Sequence, residues 1–224
     1  NSRTTAAKQY NKVFLDPNML QTIHMSHMPP ELALHVALYR DIKNAAFLKQ
    51  QLLNGNADFE YAFIDASMVL TTTHVLAATF RALNDYMHDR LKSRNVHSEI
   101  VFALSPNNNI GEAFRKFGIG ETTLDLLVVK VSTSPSVTSE SVRNHLESVV
   151  DGTFADFNDE NLQITSDLGK IEKAYKIASS VSSKGQIKPS KSHVNGMTGI
   201  GPTAKEKKEL EIAILGAIAL RGAT

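Results

Sequence analysis

The sequence predicts a single α/β (α+β) domain: a small central mixed sheet of about four strands flanked by helices, with a helical C-terminal part. Three observations carry this. As far as residue 131, short apolar runs alternate with stretches of helical period, giving three strand–helix units and a closing strand. Beyond that point the remaining periods are helical. At 224 residues the chain is long enough to bury about 70% of its unfolded surface, and with Cys 0 it must do so without disulfides.

Residues 1–18 are polar and weakly patterned, and are expected to form a flexible or added leader to a domain spanning 19–224. Leu32–Tyr39 (LALHVALY) is short, apolar and bounded by Pro-Pro and Arg-Asp, which predicts a strand. Asn44 is placed to cap a helix running to Leu53, which Gly55 stops. Tyr61–Ile64 reads as a second strand. Thr73 is expected to cap a long helix, His74–Lys92, with Val75, Leu76, Thr79, Phe80, Leu83, Tyr86 and Met87 on one stripe. Ser98–Leu104 (SEIVFAL) predicts a third strand. The loop through Asn107, Asn108 and Asn109 then caps a short helix, Ile110–Phe117, ended by Gly118. Leu124–Val131 closes the sheet. Helices are expected from Thr138 to Val149, over Asp167–Ser179 behind a Ser166 cap, and over Thr203–Leu220. A Ser-, Gly- and Lys-rich stretch at about 183–202 has no period and reads as a disordered insert.

Composition narrows the function. Lys+Arg 24 against Asp+Glu 23 leaves a net +1, so the chain is not a general polyanion binder, and any nucleic-acid contact must be a local patch. The densest apolar run, Ile212–Leu220, is about half a membrane span, so no membrane partner is expected and the default site is cytosol or nucleus. Without Cys, thiolate metal sites, iron–sulfur clusters and Cys nucleophiles are excluded. His24 and His27 are three apart, but no third ligand lies near them, so no metal is expected. His97-Ser98-Glu99 is adjacency rather than a triad, which is a matter of geometry. Phe117-Gly118-Ile119-Gly120 follows a helix, where a dinucleotide loop would follow a strand. Asp151, Asp156, Asp159 and Glu160 read as a solvated acidic loop. The residues thus predict no catalytic group and no cofactor, leaving as the alternative an enzyme whose site converges only in three dimensions.

Two features point to binding. Arg90, Lys92 and Arg94 cluster at the end of the long helix, where the dipole alone favours cations. The Asn loop opens a helix carrying Arg115 and Lys116. If Arg94 and that loop are neighbours, they form a polar pocket suited to a single-stranded end. The C-terminal helix begins charged and then becomes apolar on every side over Ile212–Leu220. Its small residues Ala213, Gly216, Ala217 and Ala219 permit close approach of another backbone. Such a helix is either sandwiched in the core or has a face for a partner.

SEIVFALSPNNNIGEAFRKFGI (Ser98–Ile119) resembles the TPRKB family, the PRPK-binding subunit of the KEOPS (EKC) complex. LYRDIKNA (Leu38–Ala45), KSRN (Lys92–Asn95), FND (Phe157–Asp159), IEKAYKI (Ile171–Ile177) and AIALRG (Ala217–Gly222) resemble further family segments, so the likeness spans about residues 19–182 and 203–222. The insert departs from the family pattern. The resemblance implies a non-catalytic subunit that binds a PRPK-type kinase directly and the other KEOPS subunits indirectly. It also implies recruitment of tRNA through its 3′ CCA end, for threonylcarbamoyl-adenosine formation beside the anticodon in nucleus and cytoplasm. On this basis Lys92, Arg94, Asn95, Asn107, Asn108, Asn109, Arg115 and Lys116 are the expected tRNA-binding residues. Leu210, Ile214, Ala217, Ile218 and Arg221 are the expected kinase interface.

Overall fold

The structure, a computed structural model, describes residues 20–177 and 203–221. The expected leader 1–18 and insert 183–202 lie outside the described residues.

The strands are β1 (Gln21–Ile23), β2 (Leu34–Arg40), β3 (Ala62–Asp65), β4 (Leu126–Val131) and β5 (Thr153–Ala155). They form one sheet in the order β1-β2-β4-β3, and every ladder is antiparallel. β5 pairs with Leu38–Arg40, beyond the stretch of β2 that β1 occupies. The helices are α1 (Ala45–Leu53), α2 (Thr72–Met87), α3 (Val96–Ala103), α4 (Ile110–Phe117), α5 (Ser139–Val149), α6 (Asp159–Thr165), α7 (Leu168–Tyr175) and α8 (Ala204–Leu220).

Successive side chains of a strand point to opposite faces, and here both faces are covered. Leu34, Val36 and Leu38 of β2 join Ile64, Leu127 and Val129 in a core shared with α2, α3, α7 and α8. Ala37, Tyr39, Phe63, Leu126 and Val128 face the other way, onto α1 and α5. This double burial is why the central strands read as unbroken apolar runs. The three-residue strands β1 and β5, and α6, are too short to leave a period in the sequence.

The expected strand at Ser98–Leu104 is α3 instead. Its residues Val96, Ile100, Val101, Phe102 and Ala103 are all buried, so no polar stripe marks the turn of the helix. The local signal was the cap: Asn95 Oδ1 accepts from Ser98 N at 2.9 Å. Caps shift elsewhere too. Thr71, not Thr73, caps α2 through His74 N, and Asp167, not Ser166, caps α7. Helix α2 ends at Met87, and Asp89, with φ 52°, turns the chain away before the expected end at Lys92. Asn44 precedes α1 without capping it; its side chain bridges Val149 O and Asp151 N.

Candidate functional site

β3 is the last strand of the sheet, and at its edge the two helical layers part. The chain closes the edge only in part: Gly118 bridges Ile64, and Ile119 N donates to Phe63 O. Beside this edge lies a cavity of about 490 Å³, lined from one layer by Lys49, Leu52 and Leu53 of α1 and from the other by Ser98 and Val101 of α3 and Phe114 and Arg115 of α4. Gly55, Asn56, Glu60, Tyr61, Phe63, Arg94, Asn95 and Ile119 complete most of the rest of the wall.

Each wall has a local cause. Gly55 adopts φ +67°, turning the chain sharply after α1. Arg94 stands in a turn organised from within by Glu99, which is 1% exposed. One oxygen of Glu99 accepts from Lys92 N (3.0 Å), Ser93 N (2.8 Å) and Ser93 Oγ (2.6 Å). The aromatic floor is also fixed: Tyr61 lies between Phe63 and His145, its ring centroid 5.3 and 5.6 Å from theirs, and donates to or accepts from His145 Nδ1 at 2.8 Å. Burial, reinforced by Asp58, pushes the Tyr61 hydroxyl up to about 12, so it stays protonated at neutral pH. Lys130 sits 4.7 Å over the same ring and donates to Glu60 O at 2.5 Å.

Among the described residues, Arg94 and Arg115 form no ion pair, while Lys49 is held by Glu121 at 3.1 Å. Two unpaired guanidinium groups thus stand over an apolar, aromatic pocket. That combination suits a ligand with a flat ring and a phosphate.

The sequence-expected set is only partly gathered here. Arg94, Asn95 and Arg115 line the cavity. The Asn loop does not: it sits at the other end of α3, about 12 Å along the axis at 1.5 Å per residue. Its side chains serve structure, since Asn109 Oδ1 caps α4 through Glu112 N, and Asn107 Oδ1 accepts from Asn109 N. Asn108 is exposed outside the cavity wall. It is the return of α4 along α3 that brings Arg115 back to Arg94. Lys116 pairs with Glu112 at 2.5 Å, and the exposed Lys92 is not in the wall. Lys49, Glu60, Tyr61, Phe63 and Phe114 were not singled out by sequence. The usable signal was Asn54-Gly55, which turns the α1 end toward β3.

A second concavity, about 770 Å³ and shallow, runs between α2 and α8, lined by Leu76, Ala77, Phe80, Arg81, Leu215 and Ala219 among others. Phe80 is 41% exposed. The expected kinase-interface residues sit on α8 and just past its end. Leu210, Ile214, Ile218 and Arg221 share one helical face, and that face is turned inward and buried; of the five only Ala217 is half-exposed. The outward face carries Ile212, Ala213, Ala219 and Leu220. Arg81 fixes the end of α8 by donating to Ile218 O and, at 2.6 Å, to Arg221 O. Arg221 in turn donates to Phe102 O at the end of α3 and lies 3.9 Å over the Phe102 ring.

Among the described residues no three His, Asp or Glu side chains are placed to hold a metal, and no helix is long and apolar enough to cross a membrane. His35 is a satisfied core histidine between Thr22 Oγ1 and Ser132 Oγ, both at 3.0 Å.

A family model described as kinase binding protein CGI-121 matches residues 39–222. The EKC/KEOPS complex subunit cgi121 of Aspergillus terreus is 57% identical, covering 92% of this chain and 98% of the relative. The subunits of the same name from Coccidioides immitis and Schizosaccharomyces pombe are 49% and 34% identical, over 92% and 66% of this chain and 100% and 84% of their own.

Proposed function

The chain belongs to the CGI-121 family of kinase binding proteins, and from that premise we propose that it is a non-catalytic EKC/KEOPS subunit with two binding faces. The cavity at the β3 edge takes the single-stranded 3′ CCA end of tRNA. The α2–α8 face holds the PRPK-type kinase, through which the other subunits are reached. Its place of work is nucleus and cytoplasm.

One observation carries the tRNA reading: unpaired Arg94 and Arg115 share one pocket with Tyr61, Phe63 and Phe114. Cations outside any ion pair beside an apolar wall with aromatic residues suit a splayed-out nucleotide, and single strands are where RNA offers such bases. The enzyme alternative loses support from the same geometry. The histidines pushed furthest from their ordinary pKa, His74 and His97, are buried in the core and line no part of the cavity. The kinase reading rests on the family and on Phe80, Ile212 and Leu220, large apolar side chains left exposed on α2 and α8.

The test is tRNA binding at one stated salt concentration, intact tRNA against tRNA without its CCA end, with wild type and Arg94→Glu. Loss of affinity on removing either the end or the arginine is expected. Equal binding in all arms removes the cavity from tRNA recruitment.

A further inference from the structure

The cavity holds a carboxylate that the reading above leaves without a task. Glu60 lines the wall with Arg94, Asn95 and Arg115 and is half-buried. Lys130 donates to its main-chain oxygen and attracts its carboxylate electrostatically, while among the described residues no hydrogen bond to the Glu60 side chain occupies the carboxylate oxygens. A carboxylate in a site for a polyanion works against phosphate and costs affinity, unless the ligand brings it a donor.

A single strand brings donors of two kinds. Phosphates have none; the exocyclic amines of adenine and cytosine are one kind, and ribose hydroxyls, one on each internal ribonucleotide, are the other. A 3′-terminal ribonucleotide has two vicinal hydroxyls, and a carboxylate is the side chain that takes ribose hydroxyls, being an acceptor with two oxygens. Resting on the reading that the cavity binds a single-stranded RNA end, we propose that Glu60 accepts hydrogen bonds from the terminal 2′- and 3′-hydroxyls. The cavity therefore selects RNA with a free 3′ diol. A 3′-phosphate would place close to two further negative charges beside Glu60, so an unprocessed or cleaved end is rejected although Arg94 and Arg115 alone would welcome it. Arginines supply attraction for any strand; the carboxylate decides which terminus is accepted.

The experiment uses one short single-stranded RNA in four forms: ending CCA with a free diol, with a 3′-phosphate, with a 2′,3′-dideoxy terminus, and with terminal uridine in place of adenosine. Dissociation constants are measured by fluorescence anisotropy at fixed salt for the full chain, Glu60→Gln and Arg94→Ala. For wild type, the phosphate and dideoxy ends should bind about tenfold more weakly, the size expected for hydrogen bonds to a charged group. In Glu60→Gln the dideoxy penalty should fall to about twofold, and the phosphate end should bind better than it does to wild type. Equal wild-type binding of the diol, phosphate and dideoxy ends, with affinity still dependent on Arg94, overturns the role of Glu60 and leaves end binding intact. A uridine penalty that vanishes in Glu60→Gln, while the dideoxy penalty persists there, means that Glu60 reads a base amine, and also overturns it. Affinity independent of Arg94 overturns the cavity reading as a whole. The wild-type series decides the matter even if Glu60→Gln does not fold.

Discussion

Gly55 and Arg94 meet in the wall of the cavity: a Cβ built on Gly55 falls 2.8 Å from Arg94 Nη1. The guanidinium rests where only a glycine leaves room, and the backbone there has φ +67°, which an L side chain resists. Gly55→Ala should therefore do two separable things. Strain costs about 1 kcal/mol of stability. Displacement of Arg94 lowers affinity for tRNA. In an Arg94→Ala background the stability cost should persist while the affinity effect vanishes, and a double-mutant cycle of binding and unfolding measures both. An affinity loss undiminished without Arg94 would mean that Gly55 acts by another route.

The α8 stripe predicts opposite outcomes for two apolar residues across one groove. Ile218 is 2% exposed, so Ile218→Arg buries an unpaired charge and should destabilise the domain by several kcal/mol. Phe80 lines the same groove but faces out, so Phe80→Glu should leave the melting temperature nearly unchanged and abolish capture of the kinase. Thermal unfolding and pull-down by the purified kinase decide it. A folded Phe80→Glu that still binds would move the kinase off the α2–α8 face.

How much of this could be read in the sequence follows from burial. Strands β2, β3 and β4 and helices α1, α4 and α5 were legible because each has a sharp boundary: Gly55 after α1, Asn109 and Gly118 around α4, Thr138 before α5. Helix α3 was not, because it is enclosed by α2 on one side and the sheet on the other, which erases the polar stripe. Read as a strand, the 98–104 segment gives no reason for α4 to return beside it and set Arg115 near Arg94. The face of α8 was ambiguous for the related reason that Ile212 and Ile214 are chemically alike yet 60% and 0% exposed. Only the neighbours on α2 and α7 separate them.

Two buried histidines should make stability fall in mild acid. His74 Nδ1 accepts from Leu70 N at 3.2 Å, so its Nε2 carries the proton shared with Tyr175 Oη at 2.7 Å, and Tyr175 donates onward to Leu104 O. His97 Nε2 accepts from Val131 N at 3.0 Å. A second proton on either ring would meet an N–H head on. Burial lowers both to about 3 from an ordinary 6.5, with Glu211 opposing at His74 and Lys130 adding to the effect at His97. The native state thus binds fewer protons than the unfolded one across that interval. Stability is complete above about pH 6.5 and is lost as pH falls toward 3. Between pH 7.5 and 5.5 the two together should remove about 2 to 3 kcal/mol, read by urea unfolding. A flat profile would mean that the rings are solvated.

Glu99 governs Arg94 without touching the cavity. Its carboxylate gathers Lys92 N, Ser93 N and Ser93 Oγ onto one oxygen, and so holds the turn that presents the arginine, while its other oxygen has no hydrogen-bond partner. Hydrogen bonds to an ionised acceptor are about twice as strong as neutral ones. Glu99→Gln keeps the shape but replaces that acceptor with a neutral carbonyl, and should cost on the order of 2 kcal/mol of stability. The turn should loosen with it. Affinity for a CCA-ended tRNA should then fall although residue 99 is out of the ligand's reach, whereas kinase binding on the far α2–α8 face should not change. A conservative distinction separates positioning from global damage. Ile100→Ala, in the same helix but outside the cavity wall, should lower stability by a comparable amount or more through lost packing, but it leaves the carboxylate and the 92–94 turn in place. If the two variants lose stability alike and tRNA affinity alike, the effect is general loosening of α3. If only Glu99→Gln loses affinity, the buried carboxylate sets the arginine.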